Sequence, residues 1–118
     1  MFKELKEQNL RDEYAKKFAL YLFRLHWKWI SETDERKEDW PILYNLEKRF
    51  GMVSNSCFLC DYCSAYRKGC CLVDWNDNES GIIDCCEDKS PYDMWKRANG
   101  RKLRIFFAKQ IYKLPEIN

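Results

Sequence analysis

Seven cysteines fall between positions 57 and 86, at 57, 60, 63, 70, 71, 85 and 86, and none lies elsewhere in the 118 residues. An odd number of thiols cannot all pair within one chain. The opening Met1-Phe2-Lys3-Glu4-Leu5-Lys6-Glu7 has neither the apolar stretch nor the cleavage site of a leader. No apolar run approaches the length of a membrane span. A soluble, cytoplasmic chain is therefore expected, in a compartment where thiols stay reduced and a disulfide framework is not anticipated. Clustered cysteines in that setting read as metal ligands.

Their spacing says how. Cys57-Phe58-Leu59-Cys60 can aim two thiolates at one centre from a tight turn, with backbone amides behind them to stabilise the charge. A tetrahedral zinc needs a second pair. Cys70-Cys71 and Cys85-Cys86 offer four candidates, and adjacent residues in an extended chain point opposite ways. Each pair should therefore donate one thiolate. The expected ligands are Cys57, Cys60 and Cys71 with Cys86 or Cys85, holding one zinc ion. Cys63 is then spare, or competes with Cys60. Cys57, Cys60 and Cys63 also open like a ferredoxin run, but the fourth Cys-Pro is missing. The plainest alternative is that some cysteines are small buried hydrophobes. Four thiolates leave no open coordination position, so the ion would be structural and would organise a segment with few apolar residues of its own.

Outside the cysteine segment the pattern is helical. From about 11 to 31, Tyr14, Phe18, Tyr21, Leu22, Leu25, Trp29 and Ile30 recur at three- and four-residue spacing, with Leu20, Phe23 and Trp27 widening the face. A shorter helix is expected over 42–50, after Trp40-Pro41, where proline suits the first turn. Ile42, Leu43, Leu46 and Phe50 form its face, and Gly51 suits a left-handed helix end. Segment 54–89 should be loops with one or two short strands, best placed at Leu72-Val73 and Ile82-Ile83. Segment 91–114 opens with Ser90 as N-cap and Pro91 in the first turn. Asn99-Gly100 either kinks that helix or divides it in two. Only four glycines and three prolines, with 16% aromatic residues, argue against a β-sandwich. The expected fold is one domain over 1–118, mostly α with α+β as the alternative. A long aromatic helix packs on a C-terminal helix beside a zinc-stapled loop region.

Catalytic signatures are lacking. His26 is the only histidine, and beside Trp27 on an aromatic helix it reads as packed, a metal ligand being the sharper and weaker reading. No phosphate loop, nucleophile elbow or zincin motif occurs. The expectation is a protein that is not an enzyme.

A net charge of +2 conceals a separation of signs. From Asp74 to Asp88 every charged residue is acidic, with Asp77, Glu79, Asp84 and Glu87 between the two ends. From Lys96 to Lys113 they are all basic. The two stretches could face each other within the fold. Otherwise Asp77, Glu79, Glu87 and Asp88 could meet a basic groove on a partner protein. The basic helix could equally meet phosphates through Arg97, Arg101, Lys102 and Arg104.

The order of motifs carries a resemblance. His26-Trp27-Lys28-Trp29-Ile30 is followed by Asp39-Trp40-Pro41, then Cys57-Phe58-Leu59-Cys60, then Cys71-Leu72-Val73-Asp74-Trp75, then Tyr92 and Trp95, then Leu114-Pro115. This series, over nearly the whole chain, resembles a family of small cysteine-cluster proteins encoded by phages and prophages of low-GC Gram-positive bacteria. It is most similar to the zinc-containing anti-CRISPR proteins among them. The chain departs from that pattern at Cys71-Leu72-Val73, where Cys-Pro-Leu is expected, and in its extra cysteines at 63 and 70. The resemblance implies stoichiometric binding to a type II RNA-guided CRISPR nuclease in the host bacterial cytoplasm, blocking cleavage without chemistry. The alternatives are a zinc-dependent nucleic-acid-binding regulator acting through the basic helix, and a phage adaptor with a protein partner alone.

Overall fold

Asp12 to Thr33 forms one unbroken helix, the longest element and the one around which the rest assembles. The computed structural model describes residues 1–54, 57–69, 71–75, 85 and 89–117. Among these, the helices are α1 (Phe2–Glu7), α2 (Asp12–Thr33), α3 (Pro41–Phe50), α4 (Phe58–Ala65), α5 (Pro91–Arg97) and α6 (Arg101–Tyr112), with a 3-10 turn at Lys37–Asp39. The only strand-like pairing among the described residues is an isolated antiparallel bridge between Val73 and Glu116. The fold is thus mostly helical, as the periodicity predicts. No helix is long and apolar enough to cross a membrane, among the described residues.

The buried stripe of α2 differs from the aromatic one expected. Ala15, Ala19, Leu22, Phe23, His26, Trp27 and Ile30 face inward, whereas Tyr14 and Tyr21 are largely exposed. Two fully buried alanines let neighbouring helices approach the axis closely, and the tyrosines keep their hydroxyls in water. α2 packs chiefly on α6 and α4, with α5 set against α6 and α1 against α4. Arg24 reaches from α2 to the carbonyls of Tyr112 (2.6 Å) and Leu114 (2.8 Å). It thereby satisfies acceptors that the end of α6 would leave open.

The divided C-terminal region takes the two-helix form. Ser90 caps α5 by accepting from the Asp93 amide, and Gly100, at φ 107°, turns the chain into α6. Leu103 and Phe106 follow the same helical spacing as Ile111 and Leu114 but lie exposed, while Ala108, Ile111 and Leu114 are buried. Ile42 is likewise exposed, leaving Leu43 as the fully buried residue of α3. Gly51 ends α3 at φ 97°, ψ 167°, which is not the left-handed helical cap expected but an extended positive-φ state that L side chains resist.

The largest correction concerns segment 54–89. Where loops and short strands are expected, residues 58–65 are helical. Phe58 and Leu59 each lie about one helical turn before Tyr62, and all three are essentially buried, as are Val73 and Trp75. This segment supplies core rather than lacking it. Leu72-Val73 contributes the bridge but no strand, and Ile82-Ile83 lies outside the described residues.

Trp40 and Trp75 both turn inward. Trp40 stacks on His26 with centroids 4.7 Å apart. His26 is a packed histidine, with Nε2 2.7 Å from the Lys37 carbonyl. Only a protonated nitrogen can serve that oxygen, so Nε2–H donates.

Candidate metal centre

Cys57 is the N-cap residue of α4 and Cys60 lies in its first turn. The C-x2-C pair therefore sits at a helix start, where backbone amides point outward and suit negative sulphur. Helical geometry brings both thiols to the same end of α4. The Cys57 thiol hydrogen-bonds that of Cys60, and this contact, with burial, pushes the Cys57 thiol well above its usual range. At Cys60 the same contact lowers the pKa, but a hydrogen bond to the Cys85 thiol and burial outweigh it and push Cys60 up to about 12. Cys71 completes the neighbourhood. Burial raises its thiol, against the amide of Val73 and the Trp75 indole, and its charge is felt at Cys60.

Cys57, Cys71 and Cys85 thus each neighbour Cys60; all four are half-buried, and none is in a disulfide. They come from three separate stretches of sequence. Cys85 is held from behind, because the Ser90 hydroxyl donates to its carbonyl at 2.7 Å while capping α5. Among the described residues, however, no three His, Cys, Asp or Glu side chains are already gathered at metal-ligating geometry. The sulphurs are close enough to hydrogen-bond in a chain, and an ion would have to draw them closer. The donor set itself, soft sulphur in fourfold supply, suits zinc.

The sequence leaves Cys85 and Cys86 as alternatives. Cys85 is in contact with Cys60, and Cys86 lies outside the described residues, as do Cys70, Asp77, Glu79, Glu87 and Asp88. Cys63, three residues beyond Cys60 on α4, is half-buried and has contacts of its own. One residue that the sequence reading did not attach to this cluster is Trp75, whose Nε1 lies 3.3 Å from the Cys71 sulphur. The four-residue spacing of Cys71 and Trp75 was the available signal.

α4 also anchors the start of the chain. Asp61 is buried, accepts from the Phe2 amide at 3.1 Å and lies 3.2 Å from the Met1 ammonium. Tyr62 donates to Asp12, which pairs with Lys68 at 2.6 Å. Burial and that carboxylate hold the Tyr62 hydroxyl well above its ordinary range.

The basic C-terminal helix presents a second surface. Arg104 is committed to Asp34 and Arg97 to Asp93. Arg101, Lys102 and Lys109 on α6 and Lys113 at its C-cap are exposed, with Leu103 (49% exposed) and Phe106 (60%) between them in sequence.

Compared with protein-family models, curated proteins and solved structures, the chain matches none.

Proposed function

We propose that the chain is a metal-stapled helical binding protein, with one structural zinc held by Cys57, Cys60, Cys71 and Cys85. Cys86 is the alternative to Cys85. The observation that carries the metal reading is the contact chain of thiols from Cys57 through Cys60 to Cys85, with Cys71 beside it. Three parts of the chain converge there through sulphur. Four thiolates supply the charge and softness that zinc favours, and they close its coordination shell. The ion's contribution is to join α4, the segment around Cys71 and the approach to α5.

The activity we propose is stoichiometric inhibition of a type II RNA-guided CRISPR nuclease in the host bacterial cytoplasm, by binding and without catalysis. Its support is the order of motifs from His26-Trp27-Lys28-Trp29-Ile30 to Leu114-Pro115. The acidic residues Asp77, Glu79, Glu87 and Asp88 are the proposed contact with a basic, nucleic-acid-binding surface of the nuclease. The test is titration of zinc-loaded protein into target cleavage by guide-loaded type II nucleases. Arrest near one equivalent is the expected result. Cleavage untouched at large excess across several such nucleases overturns the inhibitor reading. Reversing the four acidic charges should weaken inhibition, and undiminished inhibition would remove that surface from the account.

A second reading has its own observation, the exposed cations on α6 around Phe106. Lysines at this spacing can follow phosphates while an exposed ring stacks on a base. It requires binding to bare DNA or RNA that weakens steeply with salt.

A further inference from the structure

We infer that Trp75 is a positioning residue of the metal centre, its indole N–H holding the Cys71 sulphur in the direction a bound ion needs. The inference rests on the metal reading above. Its basis is a short, firmly held stretch of chain. The Ile117 amide donates to the Leu72 carbonyl at 2.8 Å, and the Asp74 amide donates to the Pro115 carbonyl at 2.8 Å. Between them Val73 bridges Glu116 and is 1% exposed. Residues 72–74 are therefore clipped to residues 115–117, with Cys71 and Trp75 at either end of the clip.

The Trp75 ring is held as firmly. It is 3% exposed and lies against Phe23 of α2, with centroids 6.1 Å apart. A buried indole N–H needs an acceptor. Here that acceptor is sulphur, at 3.3 Å. The ring cannot swing toward another acceptor without leaving its place against Phe23, so the donor is fixed relative to the backbone of Cys71.

A donor fixed in this way acts on a thiolate in two respects. It occupies one lone pair of the sulphur, which leaves the others directed toward the neighbouring thiols. It also draws negative charge from the sulphur, easing the crowding of four thiolates around one ion. Outer partners of this kind orient ligands and tune the metal, and their loss typically lowers affinity about 10- to 100-fold.

The experiment uses the full chain and its Trp75→Phe variant, loaded with zinc, cobalt or NMR-active cadmium. Phenylalanine keeps a ring against Phe23 and removes only the donor. Both proteins should bind one ion, the variant about 10-fold or more weakly in a zinc competition titration. The sulphur-to-cobalt charge-transfer band should move to longer wavelength in the variant, because the thiolate is no longer stabilised. In the cadmium-loaded native protein, the Trp75 indole proton should show scalar coupling to the metal through Cys71. Equal affinity with an unmoved band would overturn the inference and leave the metal reading standing. Failure of the native chain to bind any ion would overturn both. If the variant does not fold, the cadmium coupling decides alone, and its absence counts against Trp75.

Discussion

Arg104 closes on Asp34 with two edges of its guanidinium, Nε and Nη2 each 2.8 Å from a different carboxylate oxygen. Asp34 ends α2 at φ 57°, in the left-handed region, and Arg104 lies in the first turn of α6. The pair therefore fastens the two principal helices where α2 stops. The guanidinium holds the Asp34 carboxyl below its usual range.

Asp34→Asn tests this pair without disturbing the backbone, because Asn tolerates a positive φ almost as well as Asp. Thermal melts should show a Tm lower by roughly 2–5 °C, less so at high salt. Arg104→Lys should cost nearly as much, since an ammonium cannot reproduce the two-point contact. A double variant whose losses simply add would show that the pair is not coupled.

His26 sets a pH dependence of stability. Burial, opposed by the hydrogen bond to the Lys37 carbonyl, lowers its pKa from 6.5 to about 4. The unfolded chain therefore takes up the proton first. Stability is flat above about pH 6.5 and falls as pH drops from there toward 4, by up to about 3 kcal/mol. Urea melts of the native protein and His26→Gln at pH 7 and pH 4.5 should separate this from carboxylate titration. The variant should lose much less between the two pH values, and parallel losses would acquit His26.

Gly51→Ala should destabilise by about 1–2 kcal/mol. A methyl there would stand 2.9 Å from Glu4 Cδ and 3.1 Å from each carboxylate oxygen. Those atoms end a flexible side chain and can withdraw, whereas φ 97° cannot be relieved. Adding Glu4→Ala should consequently restore little. Full rescue would place the cost in the contact instead of the backbone.

Ser90→Ala removes the Asp93 cap and the donor to Cys85 together. A loss of about 1–2 kcal/mol is expected in denaturant melts. Weakened zinc binding should accompany it if Cys85 is a ligand, while unaltered binding would favour Cys86.

Serine replacements sort the thiols. Cys57→Ser, Cys60→Ser and Cys71→Ser should each abolish stoichiometric zinc uptake, measured by metal analysis after dialysis. Cys63→Ser should leave one ion bound. Chelation of the native protein should raise amide exchange in residues 57–75 first. Uptake surviving in all three ligand variants would dismiss the assigned set.

The helices were readable in sequence where periodicity, proline and capping agreed, as at Trp40-Pro41 and Ser90-Pro91. Their inner faces were less so. Aromatic residues drew attention to Tyr14 and Tyr21, yet a helix between close neighbours is lined by what fits, and Ala15 and Ala19 fit. α4 was hidden because cysteine spacing suggested a knuckle, while Phe58, Leu59 and Tyr62 carried an ordinary helical face. Gathering Cys57, Cys60, Cys71 and Cys85 in one place depends on long-range contacts that spacing cannot encode.

The clip between residues 72–74 and 115–117 also bears on the order of assembly. On a ribosome, Leu72 and Asp74 emerge long before Pro115 and Ile117 are made. The helices α1 to α4 can pack while that partner segment is still unsynthesised, but Cys71 and Trp75 cannot be fixed until it arrives. On the proposed metal reading, capture would therefore wait until residues 115–117 are made, and a nascent chain would carry its Cys57–Cys60 pair half-equipped until then.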